Sequence, residues 1–173
     1  MSEWKDTLHV EGQGLKAEVP VRLAHLAQRP ATAADFETTL AIKKQALGQY
    51  IAQVWGWDDA FQRAYHVEHF NPDHTALLEV AGRQAGLLEV AEAADRLFIQ
   101  SLLLLPEFQS QGIGTYLLAQ LMARAKAANK LLLLDVLRIN SRALRLYQRL
   151  GFAISNTTEL TFQMVYSVQH EIS

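Results

Sequence analysis

"LLLLPEFQSQGIGTYLL", residues 102–118, is the stretch on which the reading of this chain turns. An apolar run stops at Pro106, a polar loop follows, and Gly112 and Gly114 stand one residue apart before a helical pattern. Proline ends a strand because it brings no N–H to a neighbour. Paired glycines at a helix start have two readings: a tight turn, or backbone that something must approach closely. Leu117, Leu118, Leu121, Met122 and Ala125 share one helical face, so the spacing predicts a helix over 114–128. "LLLLDV", 131–136, reads as an uninterrupted buried strand. Strand, helix and strand in that order form a crossover unit whose strands lie side by side in parallel.

Upstream, residues 21–28 suit a strand, and Thr32 or Asp35 is placed to cap a helix carrying Leu40, Ile42, Ala46, Leu47 and Ile51. Gly56 interrupts it, the Asp58/Asp59 pair starts a second helix, and Asn71-Pro72 stops that one. "HTALLEVA" and "QAGLLEVAE" flank a hairpin turn at Gly82-Arg83, and "DRLFIQSLLLLP" adds a third strand. Downstream, residues 140–150 form a helix stopped by Gly151, and 152–155 and 160–168 are closing strands. The order is β-α-α-β-β-β-α-β-α-β-β. It predicts an α/β (α+β) fold: a mixed, mostly antiparallel sheet with one parallel central pair and helices on both faces.

The chain has 173 residues, 50% of them apolar and 20% charged, which describes one ordinary globular domain. Residues 1–20 are polar and read as an N-terminal extension ahead of a domain at 21–173. A net charge of −2 supplies no global basic field for nucleic acid or an anionic membrane. No run approaches the roughly 20 apolar residues of a membrane helix, and the first residues hold no signal-peptide core. Cysteine is absent, which removes disulfides, thiolate metal sites and a thiol nucleophile. The expectation is a cytoplasmic protein. His66 and His69 lack metal spacing with any partner and read as surface or pocket polar residues, so no metal is expected.

Backbone N–H groups from Gln111 to Thr115, at the positive end of a helix dipole, suit a phosphate. A P-loop is excluded, since no glycine, four residues, then Gly-Lys-Ser/Thr occurs. The dinucleotide fingerprint fails too: Leu117 stands at the third glycine position, and seven positions separate Leu105 from Gly112.

What remains is Gln109-x-x-Gly112-x-Gly114 after Leu-x-Pro106-Glu107-Phe108, followed by "NSRALRLYQRLGF" with Asn140, Ala143, Tyr147 and Gly151-Phe152. Over about residues 21–168 the chain resembles the GNAT superfamily of acyl-CoA-dependent N-acetyltransferases. The resemblance implies acetyl-CoA as cosubstrate and an amine as acceptor, joined by direct attack in a ternary complex. It implies that the parallel strands splay and that Leu102, Leu103 and Leu104 bond the pantetheine arm through backbone. Ser110, Gln111, Gly112, Ile113, Gly114 and Thr115, with Gln109, would cradle the pyrophosphate, and Asn140 would cap its helix and reach the arm. Tyr147 would protonate the departing thiolate; a phenol near pKa 10 can serve a thiol near 8.5. Glu89 or Asp135 is a candidate general base, each equally readable as a solvated strand carboxylate, and a water relay is a third route.

The acceptor pocket falls where this superfamily varies, at the joint of the first two helices. Tyr50, Trp55, Trp57, Tyr65 and His66, with Phe70, cluster there beside Asp58, Asp59 and Glu68. Aromatic walls with carboxylates suit a small cationic amine, although such residues are as often packing and helix caps. A protein N-terminus is an equal acceptor. The closing strands offer a surface for a homodimer. The competing reading is an acyl-CoA-binding sensor without turnover, which would keep the same cradle.

Overall fold

The structure, a computed structural model, describes residues 23–167. Its strands are β1 (Leu26–Pro30), β2 (Thr75–Val80), β3 (Arg83–Glu92), β4 (Arg96–Leu104), β5 (Leu131–Leu137), β6 (Ala153–Thr157) and β7 (Thr161–Tyr166). Its helices are α1 (Phe36–Val54), α2 (Asp59–His69), α3 (Ile113–Ala127) and α4 (Ser141–Arg149). The strands form one sheet in the order β1-β2-β3-β4-β5-β7-β6. Only β4 and β5 pair in parallel; every other neighbouring pair is antiparallel. The expected order of elements and the parallel central pair are both present.

Several boundaries moved, two of them for a clear physical reason. The first strand begins at Leu26, after a short 3-10 turn at Leu23–His25, and runs through Pro30. A proline is tolerated there because β1 lies at the sheet edge. The β2–β3 turn sits one residue earlier than expected, on Ala81 and Gly82, both left-handed with φ of 50° and 74°. That geometry matches the twist of the strands it joins.

Two carboxylates on β3 locate the layers. Glu89 contacts Lys43 on α1, and Glu92 contacts Arg124 on α3. Residues three apart on a strand point to opposite faces, so α1 and α3 cover opposite sides of the sheet. Leu77, Leu87, Leu97, Leu132, Leu134 and Met164 are fully buried between these layers, with Ile113, Leu117 and Leu118 of α3. Each such side chain contributes about 1.5–3 kcal/mol by leaving water.

The sheet opens at its centre. β4 and β5 pair only from Arg96↔Leu131 to Ile99↔Leu134. At that point β4 bulges: Ile99 opposes Val90 and Ser101 opposes Glu89, leaving Gln100 as the extra residue. A bulge bends its strand and increases local twist. β4 then continues to Leu104 along β3, while β5 stays with β7 out to Leu137↔Thr161. The result is a V between residues 101–104 and 135–137. Gly86 fixes one arm of it. A Cβ there would lie 2.0 Å from the Leu103 carbonyl oxygen, so only glycine lets β3 and β4 approach this closely.

Candidate active site

A cleft of about 550 Å³ lies beside residues 102–104, the β4 arm of the V, and runs along the N-terminus of α3 and one side of α4. Leu102, Leu103, Leu104, Gln109, Ser110, Gly112, Ile113, Gly114, Thr115, Asn140 and Tyr147 all line it, as does Tyr50 from α1. Gln111, in the same loop, does not; its side-chain Nε2 turns back to the Glu107 carbonyl at 2.6 Å.

The backbone of β4 divides its work by alternation. Leu105 N–H donates to Ala85 O at 2.8 Å, and Leu103 pairs with Leu87, so the peptide groups of 103 and 105 face β3. Those of Leu102 and Leu104 therefore face the V, where β5 has withdrawn. The Leu104 carbonyl is satisfied by Gln109 Nε2 at 3.0 Å. The N–H and C=O of Leu102 and the N–H of Leu104 are left toward the cleft.

The glycine loop adds donors. Ser110 and Gly112 both adopt left-handed conformations, with φ of 60° and 81°. Alternation of this kind turns consecutive N–H groups toward one concavity. α2 and α4 are capped by their own side chains, Asp58 accepting from Phe61 N–H and Asn140 from Ala143 N–H. α3 has no side-chain cap, so its first N–H groups remain open at the positive helix end. A Cβ at Gly112 would meet nothing within 4 Å, so the space before the loop is clear. The donors and the open space fit a bound pyrophosphate.

Tyr147 is half-buried in the cleft wall on α4. Gly151, with φ of 93°, ends α4 and turns the chain so that Phe152 packs its ring 5.7 Å from that of Tyr147. Phe152 N–H donates to the Tyr147 carbonyl at 3.0 Å. The Tyr-x-x-x-Gly-Phe spacing is thus a mount for the ring. Burial pushes the phenol up to about 12, which keeps it protonated.

The two candidate bases lie off the cleft lining. Glu89 is buried under α1, 3.0 Å from Lys43 Nζ, with Thr75 Oγ1 at 3.5 Å. Asp135 is exposed on β5, in register with Gln163. The aromatic joint is not gathered at this cleft either. Of its members only Tyr50 reaches the cleft. Trp55 is 61% exposed at the end of α1, and Tyr65, also exposed, stacks on His69 at 3.9 Å. Trp57 lines a separate, smaller groove between α1 and α2, its Nε1 donating to Asp59 Oδ1 at 2.8 Å. Asp59 also holds Lys44 at 2.7 Å. His66, expected at a surface or pocket, is buried against Phe36 and Phe70, with Nε2 2.9 Å from Thr39 Oγ1. Burial, helped by nearby Lys43 and opposed by Glu89, pushes its imidazole below the usual histidine value. No cluster of three metal-ligating side chains occurs among the described residues.

Sequence reasoning passed over three arginines. Arg142, Arg145 and Arg149 all line the cleft, giving local positive charge to a chain whose net charge is −2. Their i, i+3, i+7 spacing is one helix face and was legible. Arg142 Nη1 donates to Gln109 Oε1 at 3.1 Å, and Nη2 donates to Ser110 Oγ. Among the described residues no carboxylate pairs with Arg145 or Arg149.

The sheet is split at a bulge, and an uncapped helix N-terminus stands beside the opening. Residues 39–152, well over half the chain, match the Acetyltransferase (GNAT) family. The chain belongs to the GNAT acetyltransferase family. Similar solved structures include the PaiA N-acetyltransferase from Thermoplasma acidophilum in complex with coenzyme A (18% identity, TM-score 0.68, 83% of this chain and 99% of that one). The ribosomal-protein-S18-alanine N-acetyltransferase from Escherichia coli is 20% identical, with a TM-score of 0.60 over 86% and 98% of the two chains. An Arabidopsis thaliana protein in complex with the bisubstrate analogue CoA-Ac-MVNAL is 15% identical, with a TM-score of 0.60 over 83% and 99%. At such identities the likeness is one of fold. No curated protein matches the chain. Among the described residues, no helix is long and apolar enough to cross a membrane.

Proposed function

We propose that the protein moves an acetyl group from acetyl-CoA to an amine by direct attack in a ternary complex. The domain is residues 21–173, with 1–20 as an extension. The observation that carries the reading is the cleft itself. It joins uncapped helix amides, an unpaired strand edge and a protonated tyrosine in one continuous wall.

Acetyl-CoA supplies an activated acyl group on sulfur; the residues of this chain bind, orient and move protons. N–H groups of the Ser110–Thr115 loop receive the pyrophosphate, with Arg145 and Arg149 supplying charge at the rim. Leu102 and Leu104 bond the pantetheine amides as a missing strand would. Main-chain N–H groups at the bulge also suit the charge that develops on the thioester oxygen. Tyr147 holds its proton at neutral pH for donation toward the departing sulfur, while the burial that raises its pKa makes it a weaker acid than a free phenol. Asn140 fixes the start of the helix that carries it, at 3.1 Å from Ala143 N–H. Neither Glu89 nor Asp135 reaches the cleft wall, which supports a water relay as the route for the amine proton. The buried pair with Lys43 favours a structural role for Glu89.

The test is free-thiol release from acetyl-CoA across a panel of amines. Tyr147→Phe is expected to lower turnover by about 10²-fold while acetyl-CoA affinity changes little. Equal losses in turnover and affinity would make Tyr147 structural. Acetyl-CoA binding with no acceptor-dependent thiol release would leave a sensor in place of an enzyme.

A further inference from the structure

Two polar side chains of the cleft are committed to each other. Gln109 turns its amide back on the chain: Nε2 donates to the Leu104 carbonyl at 3.0 Å, and Oε1 accepts from Arg142 Nη1 at 3.1 Å. Arg142 Nη2 donates to Ser110 Oγ. These contacts form one path from the last residue of β4, through the glycine loop, to the first turn of α4. Tyr147 follows Arg142 by five residues, about 7.5 Å along the same helix.

The two helices beside the cleft are anchored differently. α3 drives Ile113, Leu117, Leu118, Leu121 and Ala125 into the core. α4 has no fully buried residue. Its position against the loop therefore depends on half-buried contacts and on polar fastenings at its start. Arg142 suits that task, because a planar guanidinium satisfies two acceptors in a fixed fork where an ammonium cannot. Gln109, using both ends of its amide, is the matching piece on the loop.

We propose that the Gln109–Arg142 bridge is a positioning device that couples the phosphate cradle to Tyr147, with Arg142 as its principal residue. The bridge holds α4 at one height against the loop, and so sets the position of the phenol, whether or not phosphate fills the loop. Gln109 acts through Leu104 and Arg142 rather than on a ligand. The proposal rests on the acetyltransferase reading above.

A donor without phosphates separates positioning from charge attraction. With S-acetyl-pantetheine, Arg142→Ala and Gln109→Ala are each expected to lower turnover about tenfold, since small misplacements of a reacting group are costly. The double variant should be no slower than the worse single one, because both break the same bridge. Arg142→Lys, which keeps charge but loses the fork, should stay slow. Wild-type turnover of this donor by Arg142→Ala, with loss confined to acetyl-CoA, would overturn the proposal and leave only phosphate attraction. Gln109→Met breaks the bridge at nearly constant volume should either alanine variant fold poorly. A readout independent of turnover is the NMR signal of the Tyr147 ring, assigned with Tyr147→Phe. Both Arg142→Ala and Gln109→Ala should displace it, and an unmoved signal would sink the coupling. If no amine raises thiol release by the wild type, the acetyltransferase reading fails, and the ring signal still judges the bridge.

Discussion

The α1–α2 joint carries the showier side chains of this protein, and the cleft between β4 and β5 carries leucines and glycines. Yet the joint is largely self-satisfied and the cleft is not. At the joint, Asp58 caps α2, Asp59 holds Lys44 and Trp57, and His66 is sealed between two phenylalanines. At the cleft, α3 lacks a side-chain cap, and β4 has lost its parallel neighbour beyond Ile99. Capacity for a ligand follows backbone groups left without a protein partner rather than chemical variety of side chains, because such N–H groups are free to donate to whatever enters the cleft.

Three experiments press on that contrast. The largest effect is expected at Gly112. A Cβ at Gly112 meets nothing within 4 Å, but a β-branched valine at φ 81° strains the backbone that presents the loop amides, at a cost of about 1–3 kcal/mol. Because the free loop of Gly112→Val relaxes out of the binding conformation, acetyl-CoA should bind about 5- to 150-fold more weakly, which is that strain converted to affinity. Calorimetry showing unchanged affinity would contradict the cradle.

A middle effect concerns His66. Its folded pKa lies below the free value of 6.5, so between the two the unfolded chain binds the extra proton. His66 leaves stability untouched well above pH 6.5 and subtracts from it increasingly as pH falls below that value. Urea midpoints should drop from pH 7.5 to 5.5, and His66→Gln should flatten part of the slope. An equal slope in the variant would place the acid sensitivity elsewhere.

The smallest effect belongs to Trp55. At 61% exposure and off the cleft lining, Trp55→Ala should change stability by no more than about 0.5 kcal/mol and leave acetyl-CoA affinity alone. A marked loss of turnover with one amine only would return the joint to the acceptor side.

Much of the architecture was legible because it follows from periodicity. Leu117, Leu118 and Leu121 repeat at helical spacing, and 131–136 is too apolar for anything but a covered strand. The site was legible where local backbone geometry does the work, as with Gly112 in its left-handed turn and Gly151 before Phe152. It was illegible where a side chain chooses among distant partners. Glu89 and Lys43 are 46 positions apart, and no local pattern pairs them. The same holds for Gly86, an unremarked glycine in a strand until the Leu103 carbonyl is seen where its side chain would be.

The order of residues by itself determined which elements form and, through the chirality of connections, the parallel crossover around Gly112. The link between the glycine loop and Asn140 and Tyr147 was implied by the family resemblance alone, whereas the elements follow from periodicity within a helix or strand. The opened sheet, the cleft onto which the arginine face of α4 turns, and the partners taken up by the residues of the aromatic joint were decided only by tertiary structure. They depend on which surfaces meet and which polar groups find partners when the helices pack onto the sheet.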